Sequence, residues 1–160
     1  MKVIYLDIDG VLNCSETKAR IMDSVGLDGK LLGNLKKIVD RTNAKIVLIS
    51  TWKEGWVKDK VKKPFQNSIA RYLDEKFSAH NLKVFDKTET KAYGKFLSRG
   101  EGILRYNETN GVESFVIIDD YQYDYDGCSL TGRWVKTDFN QGGLTESKAE
   151  ETTSLFLRKK

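Results

Sequence analysis

Short apolar runs rich in β-branched and aromatic residues recur along the chain, and they constrain its fold more than any other feature. They occupy residues 2–6 (KVIYL), 45–49 (KIVLI), 82–85 (LKVF) and 115–118 (FVII), with a weaker run at 133–136. Runs of this length and composition are typical of buried β-strands. The sequence therefore predicts a sheet of about five strands.

Segments of helical periodicity separate these runs. Apolar residues recur at helical spacing between Leu31 and Val39, residues 65–78 carry an apolar face, and residues 101–108 also favour a helix. Strands that alternate with helices predict an α/β domain of the three-layer, Rossmann-like kind, with a central parallel sheet and helices on both faces. A chain of 160 residues fits one such domain, spanning residues 1–160.

Composition narrows the class of protein. Hydrophobic residues make up 39% of the chain and charged residues 31%, and the formal net charge of +4 allows a polyanionic partner without requiring one. No apolar run approaches the ~20 residues of a membrane helix, so we expect no membrane partner. Cys14 and Cys128 make no disulfide framework, which favours the cytoplasm.

Three of the predicted strands are followed directly by residues whose side chains can act in catalysis or metal binding. Asp7 follows the first strand, Ser50 the second, and the pair Asp119-Asp120 the fourth. Ligands of parallel α/β sheets bind outside the carboxyl ends of the strands, so these groups would meet at one edge. Converging carboxylates repel one another unless a cation lies between them, and hard oxygen ligands favour Mg²⁺.

Asp7 and Asp9 form the candidate catalytic pair. A carboxylate placed against a phosphate can act as the nucleophile, and a second one two residues later can protonate the leaving oxygen and then activate water. Gly10 lets the backbone turn tightly beside the ligand. The alternative is that Asp7 and Asp9 only end a strand and open a turn, where aspartate is common.

Several motifs resemble those of the haloacid-dehalogenase-like (HAD) phosphatase superfamily. DIDGVLN, Ser50 after KIVLI, and IIDD at 117–120 match its first, second and fourth motifs in order and spacing. More narrowly, the segments YLDIDGVLN, IVLISTW, SRGEGIL, FVIIDD and WVKTDFNQGGLT look like the HAD domain of Swiss-Army-knife RNA repair proteins. The resemblance implies an HAD-like fold and a phosphatase that forms an aspartyl-phosphate.

The resemblance also implies a role for each matching residue. Asp7 would be the nucleophile and a metal ligand, and Asp9 the acid/base whose backbone carbonyl also binds the metal. Ser50 would donate a hydrogen bond to the transferring phosphoryl group. Thr51 could take the place of Ser50, although Ser50 ends the apolar run directly.

Mg²⁺ is the cofactor that the resemblance implies, with Asp120 as a direct carboxylate ligand. Asp119 and Asp124 would lie just behind Asp120. These three side chains complete the predicted metal site with Asp7 and Asp9.

The resemblance further implies a cation that holds the charge of the phosphoryl group. Arg99 in SRGEG is the best candidate because it directly precedes a predicted helix. Lys95 and Lys91 are the alternatives, since the chain lacks the lysine–proline pair of many relatives. The alternative for each of these three basic residues is that it lies on the solvated surface and takes no part in the site.

The spacing leaves no room for a large cap domain, which many members of the superfamily carry. Only about twenty loop residues separate Gly10 from the first helix, and fewer lie between Phe85 and Arg99. An open site suits a large substrate such as a nucleic-acid end or a protein. The tyrosines within residues 121–125 (YQYDY) could line the entrance or pack in the core.

The segment 52–63 (WKEGWVKDKVKK) is basic and aromatic, and it directly follows the second strand end. Tryptophan faces stack on unpaired bases and lysines neutralise phosphates, so Trp52 and Lys53 are candidate substrate contacts. The alternative is a helix in which Trp52 and Trp56 pack inward while the lysines are solvated.

We therefore expect a Mg²⁺-dependent phosphatase whose partner is a phosphorylated substrate. The leading hypothesis is a nucleic-acid end, RNA above all, in repair or end processing. A nucleotide or small-metabolite phosphatase is the first alternative, and a non-catalytic, Mg²⁺-binding receiver-like module is the second. The Asp7/Asp9 pair argues against the module, which needs no acid for a leaving group.

Overall fold

The strands and helices follow the predicted alternation in this computed structural model, which describes residues 1–158. The strands are β1 (Lys2–Leu6), β2 (Arg20–Ile21), β3 (Ser24–Val25), β4 (Lys45–Leu48), β5 (Val84–Lys87), β6 (Lys91–Ala92), β7 (Lys95–Phe96), β8 (Ser114–Asp119) and β9 (Trp134–Lys136). The helices are α1 (Gly29–Thr42), α2 (Ser68–Ala79), α3 (Arg99–Asn110) and α4 (Glu146–Leu157).

A five-stranded sheet in the order β5-β4-β1-β8-β9 forms the centre of the fold, and every pair in it is parallel. Leu6 of β1 lies opposite Leu48 of β4 and Ile118 of β8. The residues that follow Leu6 and Ile118 are Asp7 and Asp119, so the strand ends that carry the predicted chemistry are neighbours. The predicted α/β fold with a parallel sheet of about five strands is confirmed.

Apolar side chains cover both faces of the sheet, which gives the fold its three layers. Ile4 and Leu6 of β1 pack in one core with side chains of α1, α2 and α4. Val3 and Tyr5 pack in the other core with Ile103 of α3. Successive residues of a strand point to opposite faces, so a strand covered on both sides requires the continuous apolar run seen in the sequence.

Polar caps fix where the helices begin and end. The Asp28 carboxylate accepts a backbone N–H of the first turn of α1, and Asn43 ends that helix with a left-handed φ of 56°. Ser98 and Glu101 form a capping box at the start of α3, and Gly111 ends it. The start of α3 is functionally important because its first residue is Arg99.

Two small hairpins occupy the places where a cap domain would be inserted. One is β2–β3, between β1 and α1, and the other is β6–β7, between β5 and α3. Residues 1–158 contain no large cap domain, as the spacing predicted. Over the same residues, no helix combines the length and the apolar character that a membrane crossing needs.

Two predicted boundaries are wrong by a few residues. The helix predicted at 65–78 begins at Ser68, because Asn67 caps it, and Phe65 is exposed. The strand predicted at 82–85 runs from Val84 to Lys87. The amide of Leu82 donates to the carbonyl of Phe77 and so belongs to the turn that ends α2.

Trp56 is a core residue and does not contact solvent as a base-stacking residue would. It is 2% exposed, and its indole N–H donates to Asp74 at 3.1 Å. The segment that precedes it is a 3-10 turn (Thr51–Gly55) rather than the helix considered above. Lys58 and Lys60 follow this turn in the basic segment 52–63 and pair with Asp86 and Asp74, respectively.

Replacing Trp56 tests this core assignment. Trp56→Ala should lower the free energy of unfolding by ~3–5 kcal/mol, because it removes a large buried side chain and leaves a cavity. Denaturant titration measures the change. Phe65→Ala is the matched control, since Phe65 is 90% exposed and its loss should change stability by less than ~0.5 kcal/mol. A Trp56→Ala protein as stable as this control would contradict the assignment.

Candidate active site

Three carboxylates meet at the carboxyl edge of the sheet. Asp7 follows β1, and Asp119 and Asp120 lie at the end of β8. Each offers an oxygen within 4.8 Å of the others, and Asp7 and Asp119 are buried. The register of β1 and β8 brings them together, because Asp7 donates its backbone N–H to the carbonyl of Ile118.

Asp119 is the most strongly bound of the three carboxylates. It is fully buried, and one of its oxygens accepts hydrogen bonds from Arg99 at 2.8 Å and from the Tyr125 hydroxyl at 2.5 Å. Its other oxygen accepts the backbone N–H of Tyr121 at 3.1 Å. Asp7 and Asp120 are therefore the members of the cluster with more oxygen lone pairs left for a ligand.

Arg99 bridges the cluster from the first turn of α3. The nitrogen that donates to Asp119 also lies 3.3 Å from the carboxylate of Asp7. Burial lowers the pKa of Arg99, but the negative charges of Asp119 and Asp7 outweigh it, so the pKa lies above its usual value. The guanidinium is therefore a permanent positive charge beside Asp7.

Asp124 holds the start of α3 instead of joining the carboxylate cluster. Its carboxylate accepts the Ser98 hydroxyl and, at 2.9 Å, the backbone N–H of Gly100. These two residues flank Arg99 in sequence. The structure therefore gives Asp124 a role in placing Arg99. Its predicted position just behind Asp120 in the metal site stays a prediction.

Asp9 lies beside the cluster with its side chain held at both oxygens. One oxygen accepts the Asn13 amide at 2.9 Å, and the other accepts the indole N–H of Trp52 at 3.0 Å. The residue remains exposed. Trp52 packs beside Tyr72, so this candidate substrate contact is placed to orient Asp9. Metal binding by the Asp9 backbone carbonyl stays a prediction.

Gly10 is required by the close approach of the backbone to Asp120. Its φ is +78°, and a Cβ built on it would lie 2.3 Å from a carboxylate oxygen of Asp120. Its N–H donates to Asn13 at 2.9 Å, and its carbonyl accepts the buried Thr137 hydroxyl at 2.7 Å. Sequence reasoning gave no role to Asn13, although it lies within the motif DIDGVLN.

Ser50 and Thr51 differ in burial. Ser50 is 2% exposed, and its oxygen accepts the backbone N–H of Trp52 at 3.2 Å, which caps the 3-10 turn. Thr51 is exposed. The backbone N–H of Ile49 donates to the carbonyl of Leu6, the last residue of β1. Ser50 follows Ile49, so its buried hydroxyl lies close to the end of β1.

Lys53 is a buried lysine near the cluster. Its ammonium donates to the Thr88 hydroxyl at 2.8 Å, and burial lowers its pKa to about 8, with a further lowering from the charge of Arg99. It lines a cavity of about 570 Å³ together with Lys91 and Arg105, whereas the three clustered carboxylates do not line it. Lys53 thus offers a positive charge beside, rather than inside, the cluster.

Lys95 and Lys91, the alternatives to Arg99, lie in the exposed hairpin β6–β7. The Lys91 ammonium packs over the ring of Phe96, and the Lys95 side chain is exposed. Among the ion pairs of residues 1–158, only those of Arg99 reach the cluster. Arg99 is therefore the cation that the structure brings to Asp7.

The cluster has the charge and the ligand type that suit a hard divalent cation. Burial and the charge of Asp119 raise the pKa of Asp7, and burial raises that of Asp120. With all three carboxylates ionised, the cluster would carry two negative charges more than Arg99 balances, and the raised pKa values reflect the cost of that state. Carboxylate oxygens within 4.8 Å of one another can hold one metal ion, and hard divalent cations prefer such oxygen ligands.

Comparison with known proteins identifies the family of this chain. A family model described as the HAD domain in Swiss Army Knife RNA repair proteins matches residues 3–149. One similar solved structure, from Legionella pneumophila, is assigned to the HAD superfamily hydrolases (subfamily III A). It shares 15% sequence identity over 98% of this chain and 86% of that chain, with a TM-score of 0.47. No curated protein gives a significant match. The chain belongs to the family of HAD domains found in Swiss Army Knife RNA repair proteins.

Proposed function

We propose that this HAD hydrolase is a Mg²⁺-dependent phosphomonoesterase that removes the terminal phosphate of a nucleic acid, RNA above all. One observation carries the proposal. Arg99 joins Asp7 to Asp119 at 3.3 and 2.8 Å while Asp9 is held beside them at the open edge of the sheet. A nucleophile, an acid/base and a fixed positive charge are the groups that phosphoryl transfer through a carboxylate needs.

The first half of the reaction transfers the phosphoryl group to Asp7. A carboxylate oxygen of Asp7 attacks phosphorus, and the bond from phosphorus to the leaving oxygen breaks. Asp9 in its protonated form gives its proton to that oxygen, which leaves as an alcohol. Arg99 and the Ser50 hydroxyl stabilise the negative charge on the phosphoryl oxygens during transfer.

The second half regenerates the enzyme. Asp9, now a carboxylate, takes a proton from a water that attacks the aspartyl-phosphate. The bond between phosphorus and the Asp7 oxygen breaks, and inorganic phosphate is released. We expect the hydrogen bonds from Asn13 and Trp52 to keep the Asp9 side chain in place through both halves.

Asp7 and Asp120 are the residues that we expect to hold Mg²⁺, with Asp119 oriented behind them by Arg99 and Tyr125. When bound, the ion would offset the repulsion between the carboxylates and the substrate phosphate. The absence of a side chain at Gly10 makes room for the Asp120 carboxylate at this edge of the sheet.

A nucleic-acid end is the substrate that two observations favour. Residues 1–158 place no cap domain over the cluster, so a long strand can reach it. The matching family model is described by its occurrence in RNA repair proteins. A nucleotide or small-metabolite substrate would use the same catalytic groups. The placement of Asp9 favours an enzyme over a receiver-like module.

Replacement of the two catalytic carboxylates tests the mechanism. Asp7→Asn should abolish release of phosphate from an aryl phosphate, since an amide cannot act as the nucleophile. Asp9→Asn should slow release by roughly 10²–10⁴-fold, the usual contribution of a general acid/base. Asp40→Asn, an exposed change on α1, is the control and should keep full activity. Full activity of a folded Asp7→Asn protein would refute the proposed nucleophile.

Metal binding can be measured without any turnover. Mg²⁺ should raise the melting temperature of the wild type, because it binds the folded state and relieves repulsion among the carboxylates. Asp120→Asn should remove most of that increase, and the metal-free variant should be at least as stable as the metal-free wild type because one repelling charge is gone. An unchanged response to Mg²⁺ in Asp120→Asn would contradict the assignment, and Asp40→Asn serves again as the control.

Substrate class is tested by comparing oligonucleotides that carry a 3′-phosphate or a 5′-phosphate with mononucleotides. We expect kcat/KM to be higher for one of the oligonucleotide ends than for the mononucleotides. Its dependence on salt should also be steeper, since a strand that binds through several phosphates releases counterions. Equal values and equal salt dependence for all substrates would favour the small-metabolite alternative instead.

A further inference from the structure

We propose that Tyr121 forms a stacking platform for the terminal nucleobase of the substrate, and that Tyr123 holds it in position. This inference rests on the proposed function and deepens it, because it identifies the residues that would bind the nucleobase next to the phosphate. The two rings lie 5.0 Å apart, edge to face, immediately beyond the carboxylate pair at the end of β8.

A continuous series of contacts joins these rings to the nucleophile. Arg99 lies 3.3 Å from Asp7, and its guanidinium carbon lies 3.9 Å from the centre of the Tyr123 ring. Tyr121 packs against Tyr123, and its backbone N–H donates to Asp119 at 3.1 Å. The platform is therefore fixed relative to the place where the phosphoryl group would bind.

Exposure distinguishes these two tyrosines from the third in the same segment. Tyr125 is fully buried and donates its hydroxyl to Asp119, which accounts for its presence in the core. Tyr121 and Tyr123 are 65% and 48% exposed. Their exposure beside the carboxylate cluster leaves aromatic surface accessible to a ligand with a flat face, such as a nucleobase.

The backbone conformation at Tyr123 directs its ring. Its φ is +49°, in the left-handed region, and Tyr93 in the hairpin β6–β7 has a similar φ of 51°. Here the conformation sets the Tyr123 ring over Arg99 and gives Tyr121 its edge-on neighbour.

Other aromatic side chains are less suited to stack on the terminal base. Trp56 is buried, and Trp52 donates its indole N–H to Asp9. Tyr93, at the tip of the hairpin β6–β7, is exposed and lies under Arg105, but Arg105 pairs with Glu89 and not with the carboxylate cluster. Tyr93 thus provides a matched control: a similar pairing of tyrosine and arginine outside the site.

The test compares two short oligonucleotides that carry the same terminal phosphate. One ends in a normal nucleotide and the other in an abasic residue, and the readout is the ratio of their kcat/KM values. Stacking of a base on an aromatic ring predicts a wild-type ratio of roughly 5- to 150-fold. Tyr121→Ala should bring the ratio close to one, Tyr121→Phe should preserve it because the ring remains, and Tyr93→Ala should leave it at the wild-type value.

Three results would overturn the platform while the phosphatase proposal survives. The first is a wild-type ratio of one with both oligonucleotides hydrolysed. The second is a Tyr121→Ala protein that loses activity on both substrates equally, which would make the ring only a support for Arg99. The third is an equal fall of the ratio in Tyr93→Ala. Absence of phosphate release from either oligonucleotide would refute the proposed function itself, and the platform with it.

Discussion

The buried contact of Arg99 with Asp119 and Asp7 is the interaction on which the rest of the site depends. A buried guanidinium and buried carboxylates lose hydration, and only close pairing with good hydrogen bonds offsets that loss. Arg99 lies 2.8 Å from Asp119 and 3.3 Å from Asp7, and the Tyr125 hydroxyl satisfies Asp119 further. The pairing fixes α3 against the end of β8 and leaves Asp7 beside a permanent positive charge.

Hydrogen bonds from other residues orient the side chains that are important for the chemistry. Asp124 receives the hydrogen bonds that set the start of α3, and so places Arg99. Asn13 and Trp52 each donate a hydrogen bond to one of the two carboxylate oxygens of Asp9. Such support lowers the freedom of the groups before substrate arrives, which is how preorganised sites stabilise a transition state. The backbone of Tyr121 is also held, because its N–H donates to Asp119. The exposed ring of Tyr121 therefore lies at a defined place beside the carboxylate cluster.

Periodicity and strand ends account for what sequence reasoning predicted well. The apolar runs placed all five strands of the parallel sheet, and the acidic strand ends identified Asp7, Asp119 and Asp120 as neighbours. Residues with two plausible environments stayed undecided. Trp56 suits a core or a stacking surface equally in sequence, and the structure places it in the core. The boundary errors at α2 and β5 arose because capping by Asn67 depends on local geometry that periodicity does not encode.

The sequence by itself determined the fold class, the alignment of strand ends and the acidic character of the site, because these follow from patterns between near neighbours and from the parallel pairing they imply. Only the tertiary structure decided which cation meets Asp7, which aromatic rings face solvent, and what orients Asp9. Those outcomes depend on contacts between residues far apart, such as Trp52 with Asp9 across 43 positions and Thr137 with Gly10 across 127. Packing of the whole chain selects such pairs, and no local pattern specifies them.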